Sequence, residues 1–542
     1  MGRGKGDCLS EDVMDAIMER LPAKSAAAAA CVCRSWSRSA TRLLSAPNFV
    51  TAVSFNRNLE AAIDEIMDKI LSKPIRPNFA IAFAGQKFNL SRITTLLKKI
   101  LGSRIPTVAC FATGIIGPDA ISSDQKEVTW RQPAYETSKA ARRRIIDEQH
   151  GLAVTIGHFP GLKIEAIPLC NSLVEDELKS FVDDVGVYTS SVSNHANPLA
   201  MIVLADPRAN IRGILESLEE GLDGDTVIIG GLAAEHEGAC VSFNSQDMET
   251  STSKKILKDR KARKGAPVIY DAVALVFAKR KNDDIESARI HFNPAVSAGL
   301  SPVGPTYKAI SVRVSRDDVE RQTVTWLTCK REGMPAELDG QSVLEDLDDQ
   351  VGGDILSEGL FIGVSKRSKC SVGKDKAMVP FTIHEVHGAD EQYLFVEGEG
   401  IKTGDVFRFY RTDSETGKSS SNLALEQVRE HLRSPFILDR VHPATTVEMV
   451  ASTSMQCDNK VLGGLLFACN GRGESYFGEP NVESSIFSHN FPDAPITGMF
   501  CLGEIGPPSV RSWEAAGGDT NSRLNFYSSM FLVFSYTLKC AE

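Results

Sequence analysis

The stretch Leu9–Phe49 reads LSEDVMDAIMERLPAKSAAAAACVCRSWSRSATRLLSAPNF. It is the most informative part of the chain, and the remaining segments are considered in relation to it. Val13, Ile17 and Leu21 recur every four residues, so their apolar side chains share one face of a predicted helix. Charged residues fill much of the opposite face. Pro22 disfavours helical geometry at the residue before it and therefore predicts the end of this helix.

A second, alanine-rich helix is predicted to follow. Ser10 and Ser25 are the predicted N-caps of the two helices, and the second helix is expected to run through Val32, Cys33 and Trp36. About fifty residues supply too few large apolar side chains to bury the apolar faces of both helices against each other. The remaining apolar surface predicts a partner protein. The alternative is a free-standing helical hairpin whose apolar face is simply its core.

The stretch resembles the F-box, a small helical module that binds the Skp-type adaptor of cullin-RING ubiquitin ligases. Ser10 stands where F-boxes usually carry a proline. The resemblance implies that the chain binds the adaptor, and through it a cullin-RING ligase, with residues of both predicted helices. These residues are Leu9, Val13, Ile17, Leu21, Pro22, Val32, Cys33 and Trp36.

The whole chain has 542 residues, which predicts two to four domains. Its formal net charge of −10 argues against nucleic acid as the main partner. The sequence contains no apolar run of membrane-spanning length and no hydrophobic signal segment at its start, so neither a membrane nor secretion is expected. We therefore expect the protein in the cytoplasm, the nucleus or both.

The twelve cysteines are scattered singly, apart from Cys31 and Cys33. No second pair and no histidine cluster completes a zinc site, so the sequence predicts no metal and no cofactor. Without a secretory signal, the cysteines are predicted to be reduced thiols.

Between residues 51 and 300, apolar runs alternate with amphipathic segments, a pattern that predicts a layered α/β region. Two insertions, 118–150 and 245–267, interrupt it. The basic run 254–264 predicts a solvated loop or disorder, and a nuclear-import signal is the alternative. The predicted helices are Leu59–Ile70, Ser91–Leu101 and Ile211–Leu222, and the predicted strands are Phe79–Phe83, Thr107–Ala112, Leu152–Ile156, Ile164–Leu169, Ala200–Ala205, Val227–Leu232, Cys240–Phe243 and Ala272–Ala278.

Residues 301–542 are richer in short predicted strands. Helices are predicted over Leu423–Leu432 and Val482–Phe487, a helix surface at 345–349, and a polar loop over Asp413–Asn422. The predicted fold class is therefore α+β multidomain: a small helical F-box at 1–50, a layered α/β half at 51–300 and a β-rich half at 301–542. The predicted strands here are Tyr307–Val314, Thr323–Thr328, Phe381–Val386, Tyr393–Val396, Val406–Tyr410, Val461–Cys469, Thr497–Cys501 and Met530–Leu538.

Three glycine-bearing turns of these halves resemble the FIST module, an intracellular sensory unit with N- and C-terminal parts. They are Ile229–Ala234, Phe467–Gly473 and Gly498–Gly506. An F-box followed by FIST-N and FIST-C parts is similar to one eukaryotic family of substrate receptors. The resemblance implies a subunit that holds a substrate protein on its FIST body for ubiquitin transfer. The alternative that the resemblance to bacterial FIST modules implies is an intracellular sensor of a small ligand such as an amino acid.

Catalytic motifs are missing from the sequence. It contains no Gly-x-Ser-x-Gly elbow, no His-Glu-x-x-His pair and no complete phosphate or dinucleotide loop. A receptor subunit needs no catalytic residue of its own, because the thioester chemistry lies in its partners. The sequence therefore predicts a protein that is not an enzyme.

A candidate ligand or substrate site is predicted at the turns near the C-terminus. Glycines on both sides of Arg472 permit a tight turn whose N–H groups and guanidinium can bind a carboxylate or a phosphate. The interpretation that the residues favour is an internal ion pair between Arg472 and Glu504 that ties two strand ends together. Cys469 is by default an inert core thiol, and a lowered pKa requires that the guanidinium lie beside it. The candidate residues are Cys469, Asn470, Gly471, Arg472, Gly473, Gly503 and Glu504, and Cys469, Arg472 and Glu504 are predicted to border one pocket.

Overall fold

The structure is a computed structural model that describes most of the chain. Leu9 and the basic run 254–264 lie outside the described residues, as does most of both predicted insertions. The described residues are 10–130, 149–222, 226–236, 238–244, 270–281, 289–316, 323–351, 359–365, 380–433, 459–507 and 522–537.

Helices in these ranges frame four groups of strands. None of them is both long and apolar enough to cross a membrane. The helices are α1 (Glu11–Met18), α2 (Ala23–Ala29), α3 (Arg34–Ser45), α4 (Leu59–Ile70), α5 (Leu90–Leu101), α6 (Glu175–Val192), α7 (Ile211–Gly221), α8 (Gly340–Val351), α9 (Ser414–Arg433), α10 (Glu474–Phe477) and α11 (Val482–Asn490).

The first three helices form the predicted F-box. Ser10 caps α1 as predicted, because its hydroxyl accepts a hydrogen bond from the backbone N–H of Val13. The predicted continuation of α1 to Leu21 is wrong, since the helix ends at Met18. The single second helix predicted through Trp36 is also wrong: α2 and α3 are separate, because Cys33 adopts an extended conformation with φ −158° and ψ 170°. This break lets α3 turn back and pack on α1 and α2 around a small core.

The strands are numbered in chain order. They are β1 (Asn48–Ser54), β2 (Phe79–Ala84), β3 (Thr107–Phe111), β4 (Gly114–Pro118), β5 (Gln125–Thr129), β6 (Leu152–His158), β7 (Leu162–Leu169), β8 (Ala200–Ala205), β9 (Val227–Leu232), β10 (Val241–Asn244), β11 (Ala272–Lys279), β12 (Arg289–Ala298), β13 (Leu300–Arg316), β14 (Thr323–Arg331), β15 (Leu360–Ser365), β16 (Pro380–Ala389), β17 (Leu394–Glu397), β18 (Val406–Thr412), β19 (Asn459–Cys469), β20 (Ile496–Cys501), β21 (Glu504–Gly506), β22 (Arg523–Asn525) and β23 (Ser528–Thr537).

Three open sheets and one closed barrel contain these strands. The sheets run β1-β6-β2-β3-β10, β22-β21-β9-β8-β11-β7 and β12-β23-β19-β20-β4-β5, and the barrel runs β13-β14-β17-β16-β15-β18. The predicted α+β multidomain class is confirmed. The two halves share sheets, because β4 and β5 join strands of the second half while β21 and β22 join β9 of the first. The domain limits 1–50, 51–300 and 301–542 stay predictions, and hydrogen-bonded strand pairs cross the limit at 300.

A cluster of phenylalanines lies where the three sheets meet. Phe79 on β2 lies 5.4 Å from Phe277 on β11, measured between ring centroids. Phe159, which follows β6, lies 5.0 Å from Phe79 and 5.1 Å from Phe534 on β23. Each of these four rings is fully buried. Burial of large aromatic side chains from all three sheets stabilises their mutual arrangement.

Among the described strands, each open sheet contains one parallel pair: β2 with β3, β8 with β9 and β19 with β20. Backbone hydrogen bonds join the carboxyl ends of these pairs across sheets. The N–H of Ala234 donates to the carbonyl of Phe111 at 2.9 Å, and the N–H of Leu502 donates to the carbonyl of Leu232 at 3.2 Å. The carboxyl ends of all three parallel pairs therefore meet in one region of the molecule.

The predicted polar loop at Asp413–Asn422 is wrong, because α9 already begins at Ser414. Asp413 caps this helix by accepting hydrogen bonds from the N–H groups of Glu415 and Thr416. The run from Glu415 to Asn422 has little intrinsic helix propensity, but Gly417 and Ser421 are buried against the body. Tertiary packing therefore stabilises the first turns of α9.

Candidate functional site

An exposed apolar face on the F-box is the first candidate site. Val13 and Ile17 on α1 are 46% and 38% exposed, and Val32, between α2 and α3, is 67% exposed. On the other side of α1, Met14 and Met18 are buried. Val13 and Ile17, which are four residues apart in the sequence, therefore lie on a face that the rest of the described chain does not cover.

The remaining predicted adaptor-binding residues divide into two groups. Leu21 and Trp36 are half-buried and pack against the F-box core. Pro22 and Cys33 are exposed. Leu9 lies outside the described residues. Leu21 does not share the helical face of Val13 and Ile17, because α1 ends before it.

The F-box is joined to the body by a short connection. Only Ala46 and Pro47 separate α3 from β1, the edge strand of the first sheet. The backbone N–H of Ala23 also donates to the carbonyl of Leu71 at the end of α4, at 3.0 Å. These two links place the F-box beside the start of β1 and the end of α4.

A second candidate site is a cavity of about 760 Å³ between α7, the barrel and the carboxyl end of β19. Cys469 and Asn470 line it, so the structure places two of the predicted site residues at a cavity wall. Its other walls come from α7 (Arg212, Leu215, Glu216, Glu219), the barrel (Phe361, His384, Glu385, Glu397) and the segment 522–527 (Arg523, Leu524, Phe526, Tyr527).

The other predicted site residues lie beneath the surface. Gly471, Arg472, Gly473, Gly503 and Glu504 are buried and do not line this cavity. The prediction that Arg472 and Glu504 border one pocket with Cys469 is therefore wrong for the two charged residues. The tertiary packing of β23 and α9 covers them.

Arg472 is fully buried and pairs with Glu483 on α11, with 2.7 Å between a guanidinium nitrogen and the carboxylate. The predicted ion pair with Glu504 is thus wrong. Other guanidinium N–H groups donate to the hydroxyl of Ser297 at 2.9 Å and the carbonyl of Tyr527 at 3.2 Å. Ser529 donates to the same carboxylate oxygen of Glu483 at 2.8 Å. This network joins α11, β12, β23 and the turn after β19, so its role is structural.

Glu504 is also fully buried, at the start of β21. It accepts hydrogen bonds from the hydroxyl of Ser528 at 2.6 Å and the thiol of Cys501 at 3.6 Å. Burial raises the pKa of Glu504 to about 8, although the hydrogen bonds from Ser528 favour the carboxylate. Burial likewise raises the pKa of Glu127 on β5 to about 7.

Cys469 keeps its proton at neutral pH. Burial, followed by the nearby Glu504 carboxylate, raises the pKa of its thiol to about 12. Arg472 opposes this shift only weakly. The default prediction of an inert thiol agrees with this environment, whereas the alternative of an activated thiolate does not.

The cavity combines apolar walls with charged side chains. Four glutamates and two arginines line it, together with the rings of Phe361, Phe526 and Tyr527. Arg212 pairs with Glu216 at 3.8 Å. Separately, burial lowers the pKa of His384, so this imidazole stays neutral at pH 7. Such a lining can hold an organic molecule or a side chain of a partner. The described residues contain no group of three or more metal-ligating side chains.

Sequence reasoning missed α7, the barrel and the segment 522–527 as cavity walls, and it missed Glu483 as the partner of Arg472. For Glu483 no clear local signal exists, because a carboxylate beside two serines on a short predicted helix is typical of an exposed face. For the cavity walls no local signal exists, because the contributing segments are more than a hundred residues apart.

Family models match three consecutive parts of the chain. The F-box domain model covers residues 7–45, the FIST N domain model covers 78–317 and the FIST C domain model covers 343–507. The resemblance to the F-box and to both FIST parts is confirmed.

Individual relatives extend this result. The chain is 34% identical over 541 residues to an F-box/LRR-repeat protein of Arabidopsis thaliana, a match that spans 98% of this chain and 93% of that protein. An uncharacterized protein of Mycobacterium tuberculosis is 28% identical over 174 residues, which is 32% of this chain and 38% of that protein. One of Mycobacterium bovis is 25% identical over 244 residues, 44% of this chain and 51% of that protein. The chain therefore belongs to the family of F-box proteins whose body consists of FIST N and FIST C domains.

Proposed function

We propose that the chain is the substrate-recognition subunit of a Skp–cullin–F-box ubiquitin ligase. The observation that carries this proposal is the exposed apolar face of Val13, Ile17 and Val32 within a sequence that matches the F-box model. An apolar face that stays exposed in a folded domain is typical of a protein-binding surface. The Skp-type adaptor is the partner that this face fits.

The FIST body is the proposed substrate-binding part. The two-residue connection after α3 keeps the F-box close to the body, which suits a receptor that presents a substrate. The large cavity carries four glutamates against two arginines, so we expect a substrate segment with a net positive charge. Ubiquitin transfer itself belongs to the partner subunits, in the cytoplasm, the nucleus or both.

Co-purification with the adaptor tests the proposal. We expect Ile17→Asp and Val32→Asp each to weaken binding by at least about a hundredfold, because each places an unpaired charge in an apolar contact. Val187→Asp is the matched control, since Val187 on α6 is 65% exposed and lies outside the F-box. All three variants should melt within a few degrees of the wild type. Wild-type adaptor binding by both F-box variants would refute the proposal.

A second candidate function is an intracellular sensor of a small ligand, and the large cavity favours it. Thermal-shift measurements with amino acids and other small charged molecules test this function. Arg212→Ala should abolish any stabilisation, because Arg212 lines the cavity and its side chain is half exposed. Arg92→Ala is the matched control, since Arg92 is equally exposed and pairs with Glu60 outside the cavity. Equal shifts for both variants would argue against the sensor function at this cavity.

A further inference from the structure

A row of aromatic side chains lies on the outer face of the barrel. Arg313 on β13 pairs with Trp326 on β14, and Trp326 pairs with Phe395 on β17, so these three side chains lie side by side. The ring of Tyr393 joins them, with its centroid 6.0 Å from that of Trp326. Trp326 is 38% exposed and Arg313 is also exposed. The next residue along β14, Leu327, is fully buried in the barrel core, so the row lies on the outside.

Contacts within the row hold its side chains in position. The ring centroids of Trp326 and Phe395 are 5.4 Å apart. The guanidinium carbon of Arg313 lies 5.4 Å from the centroid of the Tyr393 ring, where a cation and an aromatic face attract each other. Side chains that are already ordered lose little conformational entropy when a partner covers them. Tryptophan, tyrosine and arginine also dominate the binding energy of many protein interfaces. The row is therefore suited to bind a protein.

The row continues directly into the wall of the large cavity. Glu397 follows Phe395 by two residues on β17, so both side chains lie on the outer face of the barrel. Glu397 lines the cavity together with Glu385 and Phe361. Its side chain is 61% exposed. Two residues of a strand span about 7 Å, so this is the distance along β17 between the cavity wall and the aromatic row.

The closed barrel limits how a partner can be recognised. A closed barrel has no free strand edge to which a partner can add a strand, so recognition depends on side chains. A large apolar side chain fits against Trp326 and Phe395, where it removes ring surface from water. A basic side chain fits beside the exposed carboxylate of Glu397. In an extended segment, side chains two positions apart lie on one side and about 7 Å from each other, which matches the spacing of Phe395 and Glu397.

We propose that the outer face of the barrel from Glu397 to Trp326 is the docking surface for the substrate protein. The substrate supplies an extended segment with a basic residue and a large apolar residue two positions apart. The inference rests on the proposed receptor function and adds the place and the chemistry of substrate recognition.

Selection from a random peptide library against the full-length protein tests the proposal. We expect enriched peptides to carry arginine or lysine two positions from an aliphatic or aromatic residue. Trp326→Thr keeps a residue that favours a strand but removes the ring, so it should weaken binding of an enriched peptide by at least about tenfold. Glu397→Gln should weaken this binding several-fold and make it less dependent on salt. Leu423→Ala is the control, since Leu423 is 51% exposed on α9, and it should bind as the wild type does.

Three results would overturn the proposal. They are a library that yields no binder, enriched peptides without the expected spacing, and peptides that bind Trp326→Thr as tightly as the wild type. If Trp326→Thr does not fold, Phe395→Thr should show the same loss of peptide binding. A wild type that is dimeric in size-exclusion chromatography, and becomes monomeric in Trp326→Thr, would assign the row to a second copy of the chain and equally overturn the proposal.

Adaptor binding separates this inference from the receptor function. Trp326→Thr and Glu397→Gln should co-purify with the adaptor as the wild type does, because both residues lie on the barrel. The receptor function fails on its own test, if Ile17→Asp and Val32→Asp leave adaptor binding unchanged. The docking surface fails on peptide binding alone.

Discussion

Arg472 and Glu483 place opposite charges in a fully buried position, where each depends on the other. Two serines, Ser421 and Ser529, donate hydrogen bonds to the Glu483 carboxylate. Arg472 also donates to backbone carbonyls of Gly417 and Tyr527. Removal of one charge leaves the other desolvated without compensation, which costs more than the pair contributes as a whole.

We therefore predict that Arg472→Met lowers the free energy of unfolding by about 3–5 kcal/mol, measured by urea denaturation. The double variant Arg472→Met/Glu483→Gln should recover part of this loss, because it removes the unpaired charge and keeps an acceptor for the serines. Arg92→Met, which breaks an exposed pair with Glu60, should lower the free energy of unfolding far less. Equal losses in the buried and exposed variants would contradict the structural role of the pair.

Glu504 predicts a dependence of stability on pH. Its pKa is raised from 4.5 to about 8 by burial, with Cys501, Cys469 and Arg472 as its charged or titratable neighbours. A raised carboxyl pKa in the folded state favours the protonated form. The contribution of protonated Glu504 to the free energy of unfolding is therefore fully present below pH 4.5. It is lost as the pH rises through about 8.

Urea unfolding between pH 5 and pH 9 measures this effect. The wild type should lose on the order of a few kcal/mol over this range, and Glu504→Gln should lose less. Glu127→Gln should reduce the pH-dependent loss of stability by a smaller amount, and at lower pH, because the pKa of Glu127 is raised only to about 7. The exposed Glu60→Gln should follow the wild type. A Glu504→Gln curve parallel to the wild type would show that Glu504 does not titrate in this range.

At the scale of elements, the parallel pair β8 and β9 depends on a close backbone approach. Gly230 faces Val203 in this pair, and a Cβ on Gly230 would lie only 1.8 Å from the carbonyl oxygen of Val203. Backbone atoms cannot rotate away as a side chain can. The two consecutive glycines near the end of β9 therefore permit the close packing of β9 against β8.

We predict that Gly230→Ala lowers the free energy of unfolding by about 3 kcal/mol or more, because β8 must shift to admit the methyl group. Gly186→Ala is the matched control. Gly186 lies inside α6, and a Cβ there would meet no atom within 4 Å. The same substitution should therefore stabilise the protein by about 0.5–1 kcal/mol, since alanine favours a helix more than glycine does. A small loss at Gly230 would contradict the close approach in β8 and β9.

At the scale of the whole molecule, the F-box and the body meet at the start of the first sheet. β1 begins at Asn48, so the predicted F-box limit at residue 50 falls inside a strand of the body. Phe49 is buried and lies 5.1 Å from Phe534, between ring centroids. A deletion that removes the F-box should therefore end before β1.

We predict that deletion of residues 1–46 leaves a folded body, whereas deletion of 1–50 destabilises it. The longer deletion removes Phe49 from the core, at a cost of about 3 kcal/mol or more, and exposes part of the β6 edge. Melting temperatures and size-exclusion profiles of the two deletions measure this difference. Similar melting temperatures would show that the start of β1 does not contribute to the body.

Local sequence patterns determined the elements whose neighbours in the chain supply the signal. The four-residue apolar spacing around Ile17 predicted α1 and its exposed face, and apolar runs predicted Ala200–Ala205 and Val227–Leu232 with the bounds that the structure shows. These predictions hold because helix and strand periodicity repeat within a few residues. The glycine-bearing turn after β19, also a local feature, brought Cys469 and Asn470 forward as candidate site residues.

Only the tertiary structure decided which distant residues meet. It placed Glu483, not Glu504, beside Arg472, and it brought the ends of five strands together around Trp130. It also made a helix of the polar run after Asp413, where burial outweighs weak propensity. Contacts of this kind depend on strand order and sheet packing, which are set by the summed burial of the whole core. A short stretch of sequence does not contain the information on this total burial, so the cavities of the FIST body could not be predicted. The F-box could be predicted, because its signal lies within one short stretch.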